Sequence, residues 1–196
     1  MLLLLDVMDT LVHDPFIDAM PAFFSMTFAE MMAAKHPTAW VEFEHGQLDE
    51  AGFAARFFAD GRGFDVAAFK AHVGPAYRLL PGIQPLLEEL AAAGLPMHTL
   101  SNYPCWFELV EQHVRLSRWV RWTFVSCKTG LRKPDPRAYL DAAATLGVTP
   151  AECLFVDDRR RNVEAARAVG MDAVLFEGAP GLREALVERG LLPSLR

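Results

Sequence analysis

Five short apolar runs, each bounded by turn-forming residues, constrain the fold of this chain more than any other feature. Short buried runs of this kind are typical of parallel strands that are covered on both faces of a sheet. The sequence therefore predicts a five-stranded parallel sheet. The predicted strands are Leu2–Leu5, Leu95–Leu100, Trp122–Ser126, Cys153–Val156 and Ala173–Phe176.

Stretches of helical composition separate the later runs. Gln84–Ala93, Pro136–Leu146 and Asn162–Val169 each end immediately before a glycine, the residue preferred just after a helix terminus. Asp135 and Pro136 provide an N-cap and a proline at the first helical position. The alternation predicts a doubly wound, Rossmann-like α/β fold with right-handed crossovers.

One segment interrupts the alternation, because no convincing strand lies between residues 15 and 79. It holds 12 of the chain's 21 aromatic residues and indicates several short helices, for example Ala19–Ala34 and Asp49–Phe58. We therefore predict a helical cap over residues 15–79, inserted after the first strand of an α/β core made of residues 1–14 and 80–196. The predicted hinges are Val12–Asp14 and Leu80–Gly82.

The charge and the cysteines limit the class of protein. There are 19 Lys and Arg against 25 Asp and Glu, a formal net charge of −6, which argues against a grip on nucleic-acid phosphates. The three cysteines lie far apart, outside any Cys-x-x-Cys motif, and no apolar run approaches the roughly 20 residues of a membrane span. We expect a cytoplasmic protein, monomeric or homodimeric, with no membrane or nucleic-acid partner.

Polar and charged residues follow four of the predicted strands. Ligands of open α/β sheets bind beyond the carboxyl ends of the strands, so these side chains are expected to converge on one rim. They combine carboxylates, a hydroxyl, an amide and a lysine. The residues are Asp6, Ser101, Asn102, Lys133, Asp157 and Asp158.

This combination suits nucleophilic displacement at phosphorus. A carboxylate attacks a phosphoryl group and forms an aspartyl-phosphate, which divides one difficult step into two. Lysine, hydroxyl and backbone N–H groups compensate the charge on the phosphoryl oxygens. One or two carboxylates, with waters, hold Mg²⁺ between nucleophile and phosphate. We therefore expect a small phosphate ester as substrate and Mg²⁺ as cofactor.

As a set, these motifs resemble those of the haloacid dehalogenase superfamily of aspartate-nucleophile hydrolases, whose helical caps follow the first strand. The resemblance implies that Asp6 is the nucleophile. It implies that Ser101, with Asn102 beside it, binds the phosphate, and that Lys133 pairs nucleophile and phosphate. The metal ligands implied by the resemblance are Asp6, the Met8 carbonyl and Asp158, with Asp157 adjacent.

One position departs from the pattern of the phosphatases in that superfamily. They read Asp-x-Asp-Gly-Thr, and the second Asp is the general acid/base, whereas Met8 stands there in this chain. Asp9, in the next position, is a candidate for the missing acid, and the alternative is a carboxylate that bonds to nearby backbone N–H groups. His13, at the predicted hinge, is a second candidate, for proton transfer or substrate binding, and a bound water is a third candidate for the proton.

The strings DVMDTLVHDPF, KHPTAWVEFEHG, SCKTGLRKPDP and FVDDRRRNVEAA resemble more closely the flavin mononucleotide (FMN) hydrolases of plants and bacteria. That resemblance extends through the predicted cap and implies release of phosphate from FMN to give riboflavin. Trp40, Phe43 and Tyr103 are candidates for contact with a flavin ring, or for the core of the cap. Two alternatives stay open: a dehalogenase-type hydrolase of a non-phosphate substrate, and a ligand-binding protein of low turnover.

Overall fold

Five parallel strands form one sheet in the order β3-β2-β1-β4-β5 in the computed structural model, which describes residues 1–194. Each strand lies within two residues of its predicted position, so the predicted doubly wound α/β class is confirmed. The strands are β1 (Leu2–Leu5), β2 (Met97–Ser101), β3 (Arg121–Val125), β4 (Cys153–Asp157) and β5 (Asp172–Leu175).

Strand β1 is central and has apolar side chains on both faces. Leu3 and Leu5 pack into one hydrophobic cluster, and Leu4 packs into another. This division follows from the two-residue period of a strand, whose successive side chains point to opposite faces. Both clusters are buried, which explains why the predicted strands are uniformly apolar.

Helices cover both faces of the sheet. On the face of Leu3 and Leu5, the helices of the core that contribute buried residues are α6 (Ile83–Ala92), α7 (Phe107–Val114) and α11 (Ala179–Glu188). On the face of Leu4 lie α9 (Pro136–Thr145) and α10 (Arg160–Ala168), and a single short turn, α8 (Ser126–Thr129), follows β3. No helix within residues 1–194 is both long and apolar enough to cross a membrane.

Between β1 and α6 the chain forms five α-helices and one turn of 3₁₀ helix, Gly74–Ala76. The predicted helix Ala19–Ala34 is wrong as a single element, because the chain takes a left-handed conformation at Ser25 (φ 55°) and a new helix begins. Thr27 and Glu30 form a reciprocal capping box at that second start. The helices are α1 (Ala19–Phe23), α2 (Phe28–Ala34), α3 (Ala39–Glu44), α4 (Glu50–Arg56) and α5 (Val66–Val73).

The two linkers of this helical segment run side by side. Val12 and Leu79 form an antiparallel bridge, and the N–H of His13 donates to the Arg78 carbonyl at 2.9 Å. The helices share one hydrophobic cluster with Leu3 and Leu5, and α3 packs against α8, the turn that follows β3. Gly46 lies against the backbone of Cys127, where a side chain would collide with the carbonyl oxygen. Helices and sheet therefore enclose the space above the carboxyl edge of β1.

Candidate active site

Three carboxylates meet where the connections of the sheet reverse direction, between β1 and β4. Asp6 follows β1, Asp157 ends β4 and Asp158 follows it, and one oxygen of each lies within 4.8 Å of the others. The register sets this distance, because Leu5 pairs with Val156 and the Asp6 N–H donates to the Val156 carbonyl at 2.9 Å. A reversal point of this kind is the usual ligand site of an open α/β sheet.

A buried lysine connects two of these carboxylates. The Nζ atom of Lys133 lies 2.7 Å from Oδ1 of Asp6 and 2.6 Å from Oδ2 of Asp157, and its side chain is only 2% exposed. Burial opposes the charge on Lys133, but the two carboxylates outweigh it and raise the pKa of the ammonium group above its usual value. The structure therefore brings Asp6, Lys133 and Asp157 together as the sequence predicts.

Asn102 holds the backbone of Lys133 in place. Its amide Nδ2 donates to the Lys133 carbonyl at 2.8 Å, and its Oδ1 accepts the Lys133 N–H at 2.8 Å. This reciprocal pair links the end of β2 to the loop beyond α8, 31 residues away in sequence. Asn102 also lines the cavity next to Asp6. The contact between Asn102 and a substrate stays a prediction.

The two adjacent aspartates after β4 differ in their contacts. Asp157 is fully buried, and besides Lys133 it accepts hydrogen bonds from the Arg159 N–H (2.8 Å) and from the Asn162 amide (3.0 Å to each oxygen). Asp158 is half-buried, and its only ion-pair contact in the described residues is Arg159 at 4.0 Å. Asp158 is thus the carboxylate with free oxygens, while Asp157 is occupied in holding Lys133 and Asn162.

Thr10 joins β1 to β4, and sequence reasoning missed it. Its hydroxyl donates to Oδ2 of Asp6 at 3.3 Å and accepts the Asp158 N–H at 3.1 Å. This contact fixes the rotamer of Asp6 on the side away from Lys133. The signal was present in the sequence, since Thr10 follows Asp6 at the same spacing as in the family motif.

Ser101 lies at the end of β2 with its hydroxyl buried and without a hydrogen-bond partner. It borders a void of about 10 Å³ that Asn102 also lines, and it does not line the cavity next to Asp6. A buried hydroxyl without a partner is unfavourable by about 1–3 kcal/mol, which is consistent with a site for a polar ligand atom. The phosphate contact expected of Ser101 stays a prediction.

The structure does not bring Asp9 and His13 into this group. Asp9 has a left-handed backbone (φ 54°), and its Oδ1 accepts the N–H of Asp14 at 3.1 Å, which is the loop-structuring alternative considered above. The His13 ring pairs with Asp18 at 2.8 Å. Neither residue lines the cavity next to Asp6. Direct roles for them in proton transfer or substrate binding therefore gain no support from the geometry.

A cavity of about 240 Å³ opens above Asp6. Its floor includes Met8, and no backbone N–H within residues 1–194 donates to the Met8 carbonyl. Of the three aromatic residues suggested as flavin contacts, Trp40 and Tyr103 line the cavity. Phe43 instead stacks on Phe53 in the core of the helical segment, with ring centroids 4.4 Å apart. Further lining residues that the sequence reasoning did not assign are Asp14, Phe16, Met32, Lys35, Glu44, Arg132 and Arg159.

One of these is a buried glutamate that crosses from the helices to the sheet. Oε2 of Glu44 accepts from Nε of Arg132 at 2.5 Å, and Oε1 accepts from the Trp40 indole at 2.9 Å. Burial raises the pKa of Glu44, and Arg132 opposes that rise. Glu44 and Arg132 are 88 residues apart, so no local pattern could have paired them.

The electrostatics of Asp6 point to a cation. Burial raises the pKa of Asp6 to about 7, Lys133 opposes that change, and Asp157 and Asp158 add to it. Three carboxylates against one ammonium leave uncompensated negative charge in a buried place. Hard oxygen donors in this arrangement suit a divalent cation, which would keep Asp6 ionised.

Comparison with known proteins agrees with this geometry. Residues 2–170 match the family described as haloacid dehalogenase-like hydrolase. The chain belongs to the haloacid dehalogenase-like hydrolase family. The expected superfamily and the expected class of enzyme, a hydrolase, are therefore confirmed.

Individual members of this family resemble the chain to different extents. Flavin mononucleotide hydrolase 1 of Arabidopsis thaliana, whose name places it in the chloroplast, is 45% identical over 194 residues, 99% of this chain and 79% of that protein. A magnesium complex of a haloacid dehalogenase family enzyme from Bacteroides thetaiotaomicron superposes with a TM-score of 0.75, at 18% identity, over 93% of this chain and 98% of that one. L-2-haloacid dehalogenase of Xanthobacter autotrophicus gives 0.66, at 21% identity, over 98% and 85%. These two structures share the fold, and their low identity carries no conclusion about the reaction.

Proposed function

We propose that this haloacid dehalogenase-like hydrolase is a Mg²⁺-dependent phosphatase that converts FMN to riboflavin through an aspartyl-phosphate on Asp6. The observation that carries the reaction type is the contact between Asp6 and Lys133, 2.7 Å apart beneath a cavity and beside Asp158. A carboxylate fixed on an ammonium group can attack phosphorus while the lysine also attracts a phosphoryl oxygen.

The choice of FMN has two sources of support. The 45% identity to the Arabidopsis FMN hydrolase extends over residues 15–79, which supply seven of the sixteen residues that line the cavity. Trp40 and Phe16 form an aromatic pair in that wall, with ring centroids 5.1 Å apart. A flat aromatic ring system is the kind of ligand that such side chains bind well. We also propose that residues 15–79 act as a separate cap over the core.

The reaction divides into two displacements at phosphorus. In the first, an oxygen of Asp6 forms a bond to phosphorus as the bond to the ribityl oxygen breaks, and that oxygen leaves with a proton. In the second, water attacks phosphorus, the bond to Asp6 breaks, and phosphate leaves. Lys133 stays between Asp6 and Asp157 and compensates the charge on the phosphoryl group in both steps.

Asp6, Asp158 and the Met8 carbonyl are the groups that would hold Mg²⁺. The donor set fits, because all three offer hard oxygens and Asp158 is not engaged by a close ion pair. Bound Mg²⁺ would supply charge neutralisation for the phosphoryl oxygens and for Asp6. The cytoplasmic location and the monomeric or dimeric state stay predictions.

The test is hydrolysis of FMN by the purified protein with Mg²⁺, followed as riboflavin and inorganic phosphate. We expect FMN to be preferred over other nucleotides and over sugar phosphates. Asp6→Asn should lower turnover by at least about 10³-fold, since loss of a nucleophile removes the covalent route. The control is Asp65→Asn, which keeps the N-cap of α5 on the exposed side of the helical segment.

Three other results would contradict the proposal, each in a different way. A sugar phosphate hydrolysed ten times faster than FMN would overturn the substrate. Release of halide from 2-chloropropionate that persists in EDTA would favour the dehalogenase class. Tight binding of FMN without multiple turnover would indicate a ligand-binding protein.

A further inference from the structure

Release of the ribityl oxygen of FMN requires a proton donor, and the usual position lacks one. An alkyl alcohol is a poor leaving group, and proton transfer to it accelerates such a step by about 10²–10⁴-fold. The side chain of Met8 cannot donate a proton, and Asp9 is turned to the Asp14 N–H. The donor must therefore be another group that faces the cavity.

Among the described residues, the cavity is lined by three carboxylates: Asp6, Asp14 and Glu44. Asp6 is the nucleophile in the proposed reaction. Glu44 is committed on both oxygens, to Arg132 at 2.5 Å and to Trp40 at 2.9 Å, and an acid paired with arginine holds its proton weakly. Asp14 is the carboxylate that is left.

Asp14 is held at the edge of the cavity with one oxygen free. Its Oδ1 accepts the Phe16 N–H at 3.0 Å, and its own N–H donates to Asp9 at 3.1 Å. No hydrogen bond from any residue within 1–194 reaches its Oδ2. The backbone is thus fixed on both sides of a carboxyl group that has one oxygen available to a ligand.

The surroundings of Asp14 raise its affinity for a proton above that of an ordinary aspartate. Burial raises the pKa of Asp14 to about 6, a carboxylate at Asp9 adds to the rise, and Arg159 and His13 oppose it. Tyr77 and Tyr103, whose hydroxyls bond to each other at 2.6 Å, are neighbours of Asp14. Burial raises the pKa of both tyrosines, so they stay neutral and polar beside Asp14.

We propose that Asp14 is the general acid and base of this enzyme, in the role that the residue at position 8 cannot fill. The inference rests on the proposed phosphatase function. As the bond between phosphorus and the ribityl oxygen breaks and the bond to Asp6 forms, the Asp14 carboxyl gives its proton to that oxygen. Asp14, now a carboxylate, then takes a proton from the water that attacks the aspartyl-phosphate, and Asp6 is released.

A purely structural role for Asp14 predicts a different outcome. Oδ1 of Asp14 closes an Asx turn on Phe16, and asparagine keeps the same acceptor. Asp14→Asn therefore preserves the turn and removes only the ability to exchange a proton. This makes it the decisive variant.

The experiment compares Asp14→Asn with wild type on FMN and on p-nitrophenyl phosphate, at saturating Mg²⁺. The phenolate of the aryl ester leaves with little protonation. We expect kcat/KM for FMN to fall by about 10²–10⁴-fold and that for the aryl ester by less than about 5-fold. In wild type, kcat/KM for FMN should fall as the pH rises past the pKa of Asp14, about 6. This falling limb of the pH profile, called the pH limb below, should be absent from the variant. Asp65→Asn should behave as wild type.

The outcomes separate this inference from the proposed function. If wild type and Asp14→Asn hydrolyse FMN at similar rates, Asp14 is not the acid, although the phosphatase function stands. Equal losses on both esters, with the pH limb retained, would assign Asp14 a structural role and overturn the inference. If wild type hydrolyses neither ester, the proposed function itself fails.

Discussion

The Asp9 carboxylate accepts the backbone N–H of Asp14 at 3.1 Å, across a turn that begins with left-handed backbone at Asp9. The N–H of Asp9 in turn donates to the Val12 carbonyl at 2.7 Å. The Asp9 side chain, which the sequence suggests as a catalytic acid, therefore stabilises the loop after β1. Its effect is to deliver the next carboxylate, Asp14, to the cavity.

We predict that Asp9 is a positioning residue. Asp9→Ala removes the acceptor for the Asp14 N–H and should lower kcat/KM for FMN by about 10–100-fold, because small displacements of a catalytic group are costly. Asp9→Asn keeps an acceptor oxygen and should stay within about 3-fold of wild type. Both variants should retain the pH limb that we assign to Asp14. Loss of that limb in Asp9→Asn would show that Asp9 itself exchanges the proton.

Asp14 should also lower the stability of the fold at neutral pH. Its pKa in the folded protein, about 6, lies above the ordinary 3.8, so the unfolded chain loses its proton first. Between these values the folded state binds more protons, and the free energy of unfolding falls as the pH rises through this window. This difference in pKa corresponds to a destabilisation of the folded state by at most about 3 kcal/mol, which is fully present above pH 6.

Asp14→Asn removes this ionisation, so it should raise the Tm by roughly 2–8 °C at pH 7.5. The gain should shrink as the pH falls from 6 towards 3.8, and below that value the aspartate holds its proton in both states. Thermal unfolding of wild type and variant at pH 7.5 and at low pH tests this. A variant less stable than wild type at pH 7.5 would show that the Asp14 carboxylate is stabilised rather than strained by its site.

Asp158 is the carboxylate on which metal affinity should depend. No close ion pair from the described part of the chain occupies its oxygens, so they are available to the metal. Asp158→Ala should therefore raise the Mg²⁺ concentration for half-maximal activity by at least about 10-fold. The control is Glu164→Gln, which removes an exposed carboxylate from α10. Calorimetric titration with Mg²⁺ gives the same comparison without turnover. Equal Mg²⁺ affinities in Asp158→Ala and wild type would remove Asp158 from the metal site.

The strands and the rim of the sheet could be predicted because their signals are local. A buried parallel strand is recognised as a short apolar run. The residue after it lies at the carboxyl edge of the sheet, and this position does not depend on distant parts of the chain. Asp6 and Asp157 were found in this way. Lys133 lies beyond α8 rather than directly after β3, and its place beside both aspartates depends on the hydrogen bonds that its backbone makes with Asn102.

The helical segment was predicted as a whole, but its details depend on tertiary packing. Apolar residues continue from α1 into α2, so composition predicted one helix. The capping box of Thr27 and Glu30 is the local signal that a second helix begins. Which carboxylate faces the cavity depends on the turn at Asp9, and the pairing of Glu44 with Arg132 depends on how helices and sheet dock. Neither is encoded in a short stretch of sequence.

Lys133 should be essential for stability as well as for catalysis. Its removal leaves Asp6 and Asp157 buried and close together without a counter-charge, which destabilises folded proteins by about 3–5 kcal/mol. Lys133→Met should therefore lower the free energy of unfolding by that amount in chemical denaturation without Mg²⁺. Lys133→Met combined with Asp157→Asn should recover part of the loss. Lys128→Met is the control at an exposed site, and additive losses in the double variant would contradict this coupling.

Trp40 should contribute to recognition of the flavin rather than of the phosphate. Its indole lines the cavity and is held by Glu44, while its other neighbours are aromatic, with Phe53 at 5.7 Å and Trp106 at 6.3 Å between ring centroids. Because aromatic contacts contribute about 0.5–1.5 kcal/mol beyond burial, Trp40→Leu should raise the KM for FMN by about 2–10-fold. Trp40→Phe should raise it less.

A small aliphatic ester such as glycerol phosphate provides the comparison, because it has no ring to contact Trp40. Its KM and the kcat for both esters should change by less than about 2-fold in Trp40→Leu. Trp122→Leu is the matched control, since that indole also donates to a carboxylate, Glu111 at 2.8 Å, but lies outside the cavity lining. Equal increases in KM for FMN and glycerol phosphate would mean that Trp40 shapes the phosphate site through packing, and that another part of the wall recognises the flavin.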